Sequence, residues 1–328
     1  MKNPTKILSS RDITSLVTMA EAINVIEKAF RDFSARLYTK PVRTITDFGP
    51  NELSLFYKPC YLPSEGIVCV KLLSQLKNIH PTDIPTIRGL IILTDPATNS
   101  VRAILDGTSL TAIRTGAASG VATRHLARKE SSVLALFGAG TQAYTQYEAV
   151  CCEREIAETY IFSTDREAAQ RFVSHFKGKS NATIHVADDL SLLARADIIC
   201  TATPSATPLF ADGLLKPGVH INAIGSYNPQ MQELPNELFS RALLYVDHDE
   251  SCFSESGDLI NPLKLGTLNM ENYRGEIGSL IASEITGRSS ADDITLFKSV
   301  GIAAQDLAIA EFVCQKAVEQ GCGNDFEF

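Results

Sequence analysis

A glycine-rich turn between an apolar segment and a helical segment is the clearest chemical feature of this sequence. Residues 133–137 (Val-Leu-Ala-Leu-Phe) run directly into residues 138–143 (Gly-Ala-Gly-Thr-Gln-Ala). Gly138 permits a tight turn, Gly140 leaves room for a pyrophosphate, and the following helix offers its N–H groups and its positive dipole end. Because the turn stands between a strand and a helix, we predict a dinucleotide site that contains Gly138, Gly140, Thr141 and Gln142.

The end of the next strand indicates which nicotinamide cofactor is bound. An acidic residue is expected there when NAD is the cofactor, but the strand ends in Ser163. Ser163, Thr164 and Arg166 are suited to hold the 2′-phosphate of NADP. NAD(H) is the alternative if the Asp165 carboxylate turns inward to bind the ribose. Asp165 and Arg166 could also be a solvated start of a helix with no role in binding. We predict NADP(H), with NAD(H) also open.

Three cations stand out from their surroundings. Arg43 lies at a strand start, and Lys71 interrupts the apolar run of residues 68–73. Lys71 therefore either faces solvent or points into a pocket with a shifted pKa. Arg114 is the only charge in residues 109–123. A buried arginine there needs an anion, either on a ligand or on an internal acid such as Asp106.

The elements that must position these residues fall into two patterns. Residues 132–246 alternate strands with helices, which predicts a parallel sheet covered on both faces. Residues 44–96 predict a mostly antiparallel sheet, and the helices outside the alternating region are expected at residues 18–37, 110–128 and 295–320. Small residues on one face of the second of these helices, such as Gly116, would allow close approach to another backbone.

These patterns predict an α/β fold with a discontinuous domain. A Rossmann dinucleotide-binding domain is expected at residues 117–297. Residues 1–116 and 298–328 are expected to form an α+β domain for substrate binding and dimerisation.

The composition argues against several classes of protein. A net charge of −8 gives no basic surface for nucleic acid or an anionic membrane. The N-terminal residues are too polar for a signal peptide, and the apolar runs are too short to span a membrane. The eight cysteines lack metal-binding and redox spacings. We therefore expect reduced thiols, no metal site, a cytoplasmic location and a small-molecule substrate.

Several sequence blocks together resemble the ornithine cyclodeaminase/mu-crystallin family. The blocks are residues 90–96 with Thr86 before them, 110–127, 137–143, 215–234 and 294–307. Their order and spacing extend over nearly the whole chain. The resemblance implies a Rossmann domain, a second domain built from both chain ends, and a homodimer.

The same resemblance implies roles for single residues. Arg43 and Lys71 would grip the substrate carboxylate, and Val300 would touch the substrate. The residues implied to line the cofactor are Thr86, Arg114, Gly140, Thr141, Ser163, Thr203, Asn222, Ile224, Gly225 and Ser299.

One position departs from the cyclodeaminases of this family. They resemble one another in an aspartate two residues after the glycine of an Asn-Ala-Ile-Gly-like block, where this chain has Tyr227. A phenol ionises only near about pH 10, so it cannot replace a carboxylate that pairs with an ammonium group. Ornithine cyclodeamination is therefore disfavoured. Alanine dehydrogenation is disfavoured for the same reason, because the alanine dehydrogenases of this family resemble the cyclodeaminases in carrying that aspartate. We interpret Tyr227 as shaping an apolar pocket for a substrate ring.

The pattern of residues 226–229 (Ser-Tyr-Asn-Pro) resembles the ketimine reductases of the family. We therefore expect NAD(P)H-dependent reduction of Δ1-pyrroline-2-carboxylate to L-proline, or of Δ1-piperideine-2-carboxylate to L-pipecolate. Lys71, or a water that it holds, would be the proton source. The alternatives are an ornithine cyclodeaminase, an alanine dehydrogenase, a cis-3-hydroxy-L-proline dehydratase that uses Ser226, and a non-catalytic mu-crystallin-like binding protein.

Overall fold

A computed structural model of the chain describes residues 4–39, 44–49, 53–76 and 87–327. The chain divides into two compact units. The first unit comprises Met1–Arg114 and Ile302–Phe328, and the second comprises Thr115–Gly301. Strands and helices occur in both units, so the predicted α/β class is confirmed. Among the described residues, no helix is long and apolar enough to cross a membrane.

The first unit contains a mostly antiparallel sheet. Its described strands are β1 (Thr5–Leu8), β2 (Thr44–Phe48), β3 (Leu53–Leu62), β4 (Ile67–Leu76), β5 (Ile87–Asp95), β6 (Ser100–Asp106) and β15 (Asn324–Phe326). They lie in the order β15-β1-β6-β5-β4-β3-β2, and β1 and β6 form the parallel pair. The antiparallel pairing of β2 to β5 confirms the sheet predicted for residues 44–96.

Helices pack against this sheet and against each other. They are α1 (Ser10–Leu16), α2 (Met19–Ser34), the start of α3 (Gly107–Leu126) and α9 (Ala303–Gln320). The α2 helix begins after Thr18, whose side chain accepts a hydrogen bond from the Glu21 N–H, while the Glu21 carboxylate accepts one from the Thr18 N–H. This reciprocal cap satisfies two N–H groups at the helix start. The α9 helix packs against β3, β4 and β5.

Strand β4 places Lys71 on the buried face of the sheet. Side chains alternate between the two faces of a strand, and Ile67, Cys69 and Lys71 are all buried. In the register, Lys71 lies opposite Lys58 on β3 and Ile91 on β5. The choice between an exposed and a buried lysine is thus decided in favour of burial.

The second unit contains a parallel sheet. Its described strands are β7 (Val133–Phe137), β8 (Glu158–Phe162), β9 (Thr183–Val186), β10 (Ile198–Thr201), β11 (His220–Ala223), β12 (Leu243–Val246), β13 (Tyr273–Glu276) and β14 (Thr295–Lys298). They lie in the order β13-β12-β14-β11-β10-β7-β8-β9. After β7 the chain adds β8 and β9 on one side of that strand, and it then crosses to add β10 on the other side. Such a reversal is the point where dinucleotides bind to open parallel sheets.

The helices of the second unit connect these strands. They are the remainder of α3, α4 (Thr141–Glu153), α5 (Arg166–Phe176), α6 (Asp249–Glu255), α7 (Gly257–Leu265) and α8 (Ile277–Ile281). The α3 helix approaches α4 closely at Gly116. A Cβ atom at Gly116 would lie 2.4 Å from the carbonyl oxygen of Thr145, which confirms the close packing predicted from the small residues.

The helix predicted at residues 295–320 is wrong in its first part. Thr295–Lys298 form β14, which pairs with β11 and β12 in the interior of the sheet. All four of these residues are buried. The helix begins only at Ala303, after Gly301 with a φ of 79°. A short apolar run does not distinguish a buried strand from a helix, and pairing with two neighbouring strands determined the outcome.

Candidate active site

The turn after β7 is fixed by the strands on both sides of it. Gly138 has a φ of 100°, a value that L side chains rarely adopt. A Cβ atom there would also lie 2.7 Å from the carbonyl oxygen of Ala202, which follows β10. The Gly138 N–H donates to the carbonyl of Phe162 at 2.8 Å. Glycine at this position therefore lets β7, β8 and β10 end close together.

Gly140 caps α4 and leaves space in front of it. It contributes no side-chain hydrogen bond to the helix N-terminus, and among the described residues no atom lies within 4 Å of the position of a Cβ atom. Gly140 and Thr141 are exposed. Gln142 Oε1 is buried without a hydrogen-bond partner in the described part of the chain. Space, free N–H donors and the helix dipole together fit the pyrophosphate of a dinucleotide.

The residues after β8 present polar groups at the neighbouring strand end. The Ser163 hydroxyl accepts a hydrogen bond from the Asp165 N–H at 3.2 Å. The Asp165 carboxylate accepts from the Ala168 N–H at 2.8 Å and so caps α5. Arg166 forms an exposed ion pair with Asp188 at 3.0 Å. Exposed pairs of this kind contribute little free energy, so a ligand phosphate can compete with Asp188 for Arg166.

A buried carboxylate joins the loops that follow β10 and β11. Glu233 accepts from the N–H and the hydroxyl of Thr203, from the Thr201 hydroxyl, and from the Gly225 N–H, all at 2.7–2.8 Å. Burial and the nearby Asp258 raise the pKa of Glu233, while Lys298 and these hydrogen bonds oppose that change. Thr203 and Gly225 are held in fixed positions as a result.

Two further buried charges, Asp258 and Lys298, lie next to Glu233. Asp258 accepts from the backbone N–H of Glu233 at 2.7 Å, and its other carboxylate oxygen lies 3.1 Å from Lys298 Nζ. Asp258 and Lys298 are fully buried. Buried charges must be paired and hydrogen-bonded, and this arrangement meets both conditions.

Asn222 and Ile224 lie in and just after β11. The Asn222 side chain donates to the Thr123 hydroxyl at 3.1 Å and lies 3.2 Å from His220 Nε2. Its polar atoms are therefore engaged inside the second unit. Ile224 is largely buried, and its N–H donates to the Thr201 carbonyl at 3.0 Å.

Another carboxylate fixes the segment after β14. Asp247, at the end of β12, accepts from the Ser299 hydroxyl at 2.7 Å, from the Val300 N–H at 3.1 Å and from the Gly301 N–H at 2.7 Å. Ser299 and Val300 are thereby held at the carboxyl end of the sheet. Tyr227, which follows β11, is half-buried.

The first unit has its own cluster of buried charges. Lys71 Nζ lies 2.6 Å from Asp306 Oδ2, and Arg114 Nε lies 3.2 Å from Asp306 Oδ1. Arg114 also donates to Gln305 Oε1 at 3.3 Å. Lys71 and Asp306 are each 1% exposed. The acid that pairs with Arg114 is therefore Asp306. Asp106 is not its partner and instead accepts from the N–H and hydroxyl of Ser109.

The protonation states in this cluster follow from burial and charge. Burial lowers the pKa of Lys71 to about 7, Arg114 and Lys58 act in the same direction, and Asp306 opposes them. Burial raises the pKa of Asp306, but the charges of Lys71 and Arg114 outweigh it and the pKa falls below its ordinary value. A lysine in this state can transfer a proton near neutral pH.

The structure distributes the predicted residues between the two units. Lys71 and Arg114 lie together in the first unit, while Arg43 and Thr86 lie outside the described residues. The others belong to the second unit: Gly138, Gly140, Thr141, Gln142, Ser163, Thr164, Arg166, Thr203, Asn222, Ile224, Gly225, Tyr227, Ser299 and Val300. Within the described ranges, no group of His, Cys, Asp and Glu side chains is arranged to hold a metal ion.

Three acids that were not predicted from the sequence hold the candidate site residues of the two units in place. Glu233, Asp247 and Asp306 are all buried. No local motif marks them. The available signal was an acid next to apolar residues, as in residues 304–310, because an ionised group in such a segment requires a buried partner.

Comparisons with known proteins give consistent results. Delta(1)-pyrroline-2-carboxylate reductase of Bacillus cereus is 37% identical over 327 residues, which cover 98% of this chain and 99% of the relative. The structure of Thermococcus litoralis Delta(1)-pyrroline-2-carboxylate reductase, in complex with NADH and L-proline, has a TM-score of 0.93 and 34% identity, covering 98% of this chain and 99% of that chain. An archaeal alanine dehydrogenase dimer with bound NAD has a TM-score of 0.88 and 33% identity, covering 99% of each chain.

The family predicted from the sequence blocks is confirmed by a match over almost the whole chain. The sequence model of the ornithine cyclodeaminase/mu-crystallin family matches residues 3–321. The glycine turn and the parallel sheet described above lie within that range. The chain belongs to the ornithine cyclodeaminase/mu-crystallin family.

Proposed function

We propose that this protein reduces Δ1-pyrroline-2-carboxylate to L-proline with a reduced nicotinamide dinucleotide, and accepts Δ1-piperideine-2-carboxylate as well. The observation that carries the proposal is the buried cluster of Lys71, Arg114 and Asp306. Two cations and one carboxylate give the cluster a net charge of about +1 when Lys71 is protonated. That charge complements a substrate with one carboxylate and an uncharged ring nitrogen.

Each part of the reaction has a candidate group. A reduced dinucleotide held at the glycine turn of the second unit would supply the hydride that the imine carbon needs. Lys71 donates a proton to the ring nitrogen, so that a new N–H bond forms as a lysine N–H bond breaks, and water then restores the lysine proton. By the family resemblance, Arg43 joins Lys71 in holding the substrate carboxylate. Val300 and Tyr227 are assigned to the walls of the substrate pocket.

The second unit is proposed as the dinucleotide-binding domain and the first as the substrate and dimerisation domain. Gly138, Gly140, Thr141 and Gln142 would hold the pyrophosphate. The family resemblance assigns to the cofactor Thr86, Arg114, Ser163, Thr203, Asn222, Ile224, Gly225 and Ser299. Thr164 and Arg166 are assigned to it because they follow β8.

We propose that NADP(H) is favoured and that NAD(H) is also used. The Asp165 carboxylate caps its own helix, and the exposed Arg166 is available to a 2′-phosphate beside Ser163 and Thr164. Arginine recognises phosphate well because its planar N–H groups match the phosphate oxygens.

We propose that the protein forms a homodimer through the sheet of the first unit, on the face opposite Lys71. The face opposite Lys71 carries Tyr57, Val70, Leu72, Leu90 and Ile92, which neighbour each other in the register. These side chains are half-buried or exposed. A contiguous apolar surface on a sheet marks an interaction site, and a second copy of the chain supplies a complementary surface.

All eight cysteines are free, which agrees with the proposed cytoplasmic location.

The family's other reactions are disfavoured by two residues. The Ser226 hydroxyl is buried and donates to the Met231 carbonyl at 2.7 Å, with Ser256 Oγ at 3.0 Å, so it is poorly placed to act in a dehydratase. Tyr227 occupies the position at which a cyclodeaminase would be expected to carry an aspartate.

The decisive experiment follows the absorbance of NADPH and NADH with Δ1-pyrroline-2-carboxylate. We expect imine-dependent oxidation and L-proline as the product. Lys71→Met is expected to lower kcat at least about 100-fold and to leave dinucleotide binding intact. The control is Lys28→Met, on the exposed side of α2. Ammonia release from ornithine, or conversion of cis-3-hydroxy-L-proline without added dinucleotide, in place of imine reduction would overturn the proposal.

A further inference from the structure

Asp306 lies between two buried cations that come from different elements. Its Oδ1 faces Arg114 of α3 and its Oδ2 faces Lys71 of β4. The carboxylate itself is carried by the first turns of α9. Each oxygen therefore has one cation, and the plane of the carboxylate is defined by both contacts.

We propose that Asp306 is a positioning residue that keeps Lys71 charged and holds its Nζ where the proton leaves. The inference rests on the proposed function, because that function names Lys71 as the proton donor. Asp306 itself is not assigned any contact with the substrate.

The position of Asp306 is itself enforced by its neighbours. Gln305 Oε1 accepts from Arg114 at 3.3 Å and from the Ile302 N–H at 2.9 Å. One side chain thus connects the start of α9 to the arginine that faces Asp306. This arrangement fixes the carboxylate before any substrate binds, which is the condition for precise positioning of a donor.

The contact with Asp306 does not use all the N–H donors of Lys71. The two atoms are 2.6 Å apart, yet within the described chain neither Lys71 Nζ nor Asp306 Oδ2 has an aligned hydrogen bond. Asp306 therefore acts on Lys71 mainly through its charge. Lys71 keeps N–H groups that can be directed to another acceptor, such as a substrate carboxylate or ring nitrogen.

The charges around Lys71 make Asp306 necessary. Among the described residues, the titratable and charged groups that act on Lys71 are Asp306, Arg114 and Lys58, and the Cys69 thiol lies beside it with a pKa raised by burial. Arg114 and Lys58 both disfavour a charged lysine. Asp306 is the negative group in this set, and without it a buried Lys71 would lose its proton at neutral pH.

The test is Asp306→Asn, measured without and with turnover. Carbon-13 labelling of lysine Cε allows Lys71 to be titrated by NMR in the free protein, with Lys71→Arg identifying its signal. We expect the pKa of Lys71 to fall by about 1 to 3 pH units. The alkaline limb of the kcat/KM profile for imine reduction should move to lower pH by the same amount.

Two further variants separate positioning from folding. Glu311→Gln removes another buried carboxylate of α9, which pairs with Arg102 at 2.9 Å, and should leave the Lys71 titration and the pH profile unchanged. Asp306→Glu keeps the charge but moves the oxygens. It should restore a charged Lys71 while kcat stays at least about tenfold below wild type, and it serves if Asp306→Asn does not fold.

The outcomes distinguish this inference from the proposed function. An unchanged Lys71 titration in Asp306→Asn would overturn the inference even if the wild type reduces cyclic imines. Absence of imine reduction by the wild type would overturn the proposed function and the donor role with it. The NMR titration would still decide whether Asp306 keeps Lys71 charged.

Discussion

Glu233 accepts two hydrogen bonds from Thr203, one from its backbone N–H at 2.7 Å and one from its hydroxyl at 2.8 Å. The same carboxylate accepts from the Gly225 N–H. A Cβ atom at Gly225 would lie 2.2 Å from the Thr203 carbonyl oxygen. The ends of β10 and β11 are therefore held together by one buried acid, at the edge of the sheet where a dinucleotide is proposed to bind.

Glu233→Gln is expected to weaken NADH binding and to destabilise the second unit. An amide NH₂ group would face N–H or O–H donors, and leaving a buried donor unsatisfied costs about 1–3 kcal/mol. A loss of that size corresponds to about 5- to 150-fold in the dissociation constant if all of it appears in binding. Fluorescence titration with NADH and urea denaturation measure the two effects. Glu237→Gln, at an exposed position, should change neither, and normal NADH affinity in Glu233→Gln would contradict the assignment.

Gly140→Ala is expected to block the dinucleotide without harming the free protein. The site of the added methyl is open, so the free energy of unfolding should change by less than about 1 kcal/mol. The same methyl would enter the proposed pyrophosphate space, and NADH affinity should fall at least about tenfold. Gly213→Ala also adds a methyl into open space in the second unit and is the matched control. Equal NADH affinity in the two variants would exclude this turn as the phosphate site.

Arg166→Ala tests the proposed preference for NADP(H). Removing a guanidinium from a phosphate contact should raise the KM for NADPH about 10- to 100-fold and leave the KM for NADH within about twofold of wild type. Arg171→Ala removes a second exposed arginine of α5, which lies near Glu167, and should affect neither cofactor. A parallel change in both KM values for Arg166→Ala would assign Arg166 to a general electrostatic role.

Leu90→Asp tests the proposed dimer face. Leu90 is 46% exposed on the apolar face of the first sheet, so a carboxylate there would be buried without a partner in a dimer and tolerated by water in a monomer. Sedimentation velocity should show a shift from dimer to monomer with little change in helical circular dichroism. Val318→Asp, at a residue that is 61% exposed on α9, should remain dimeric. A dimer that survives Leu90→Asp at micromolar concentration would move the interface elsewhere.

His220 predicts how stability depends on pH. Burial, reinforced by Arg288, lowers its pKa from 6.5 to about 3, so the folded protein keeps it neutral while the unfolded chain binds a proton below about pH 6.5. Its contribution to stability is therefore fully present above that pH and is lost as the pH falls towards 3, by at most about 1.4 kcal/mol per pH unit.

Chemical denaturation from pH 7 to 4 measures this effect. His220→Gln removes the titrating group, so its unfolding free energy should fall less steeply with decreasing pH than that of the wild type. His175→Gln, at an exposed position on α5, should keep the wild-type slope. Identical slopes for wild type and His220→Gln would show that His220 is not kept neutral by the fold.

Local patterns in the sequence determined a large part of this protein. The strand, glycine turn and helix at residues 133–153 are specified by neighbouring residues, because turn geometry and helix capping depend on a few adjacent positions. The antiparallel strands within residues 44–96 and the parallel strands between residues 132 and 246 were also predictable. So was the family, since five blocks in a fixed order are far more specific than any single motif.

Tertiary structure alone decided the environment of the charged groups. The sequence left Lys71 equally compatible with solvent and with a buried pocket, and it suggested Asp106 as the internal acid for Arg114. The cluster forms because α9 brings Asp306, which lies 192 residues after Arg114 in the chain, to both cations. Likewise, residues 295–298 became a strand because β11 and β12 pair with them on both sides. Ion pairing and strand pairing depend on proximity in space, which residue spacing along the chain does not encode.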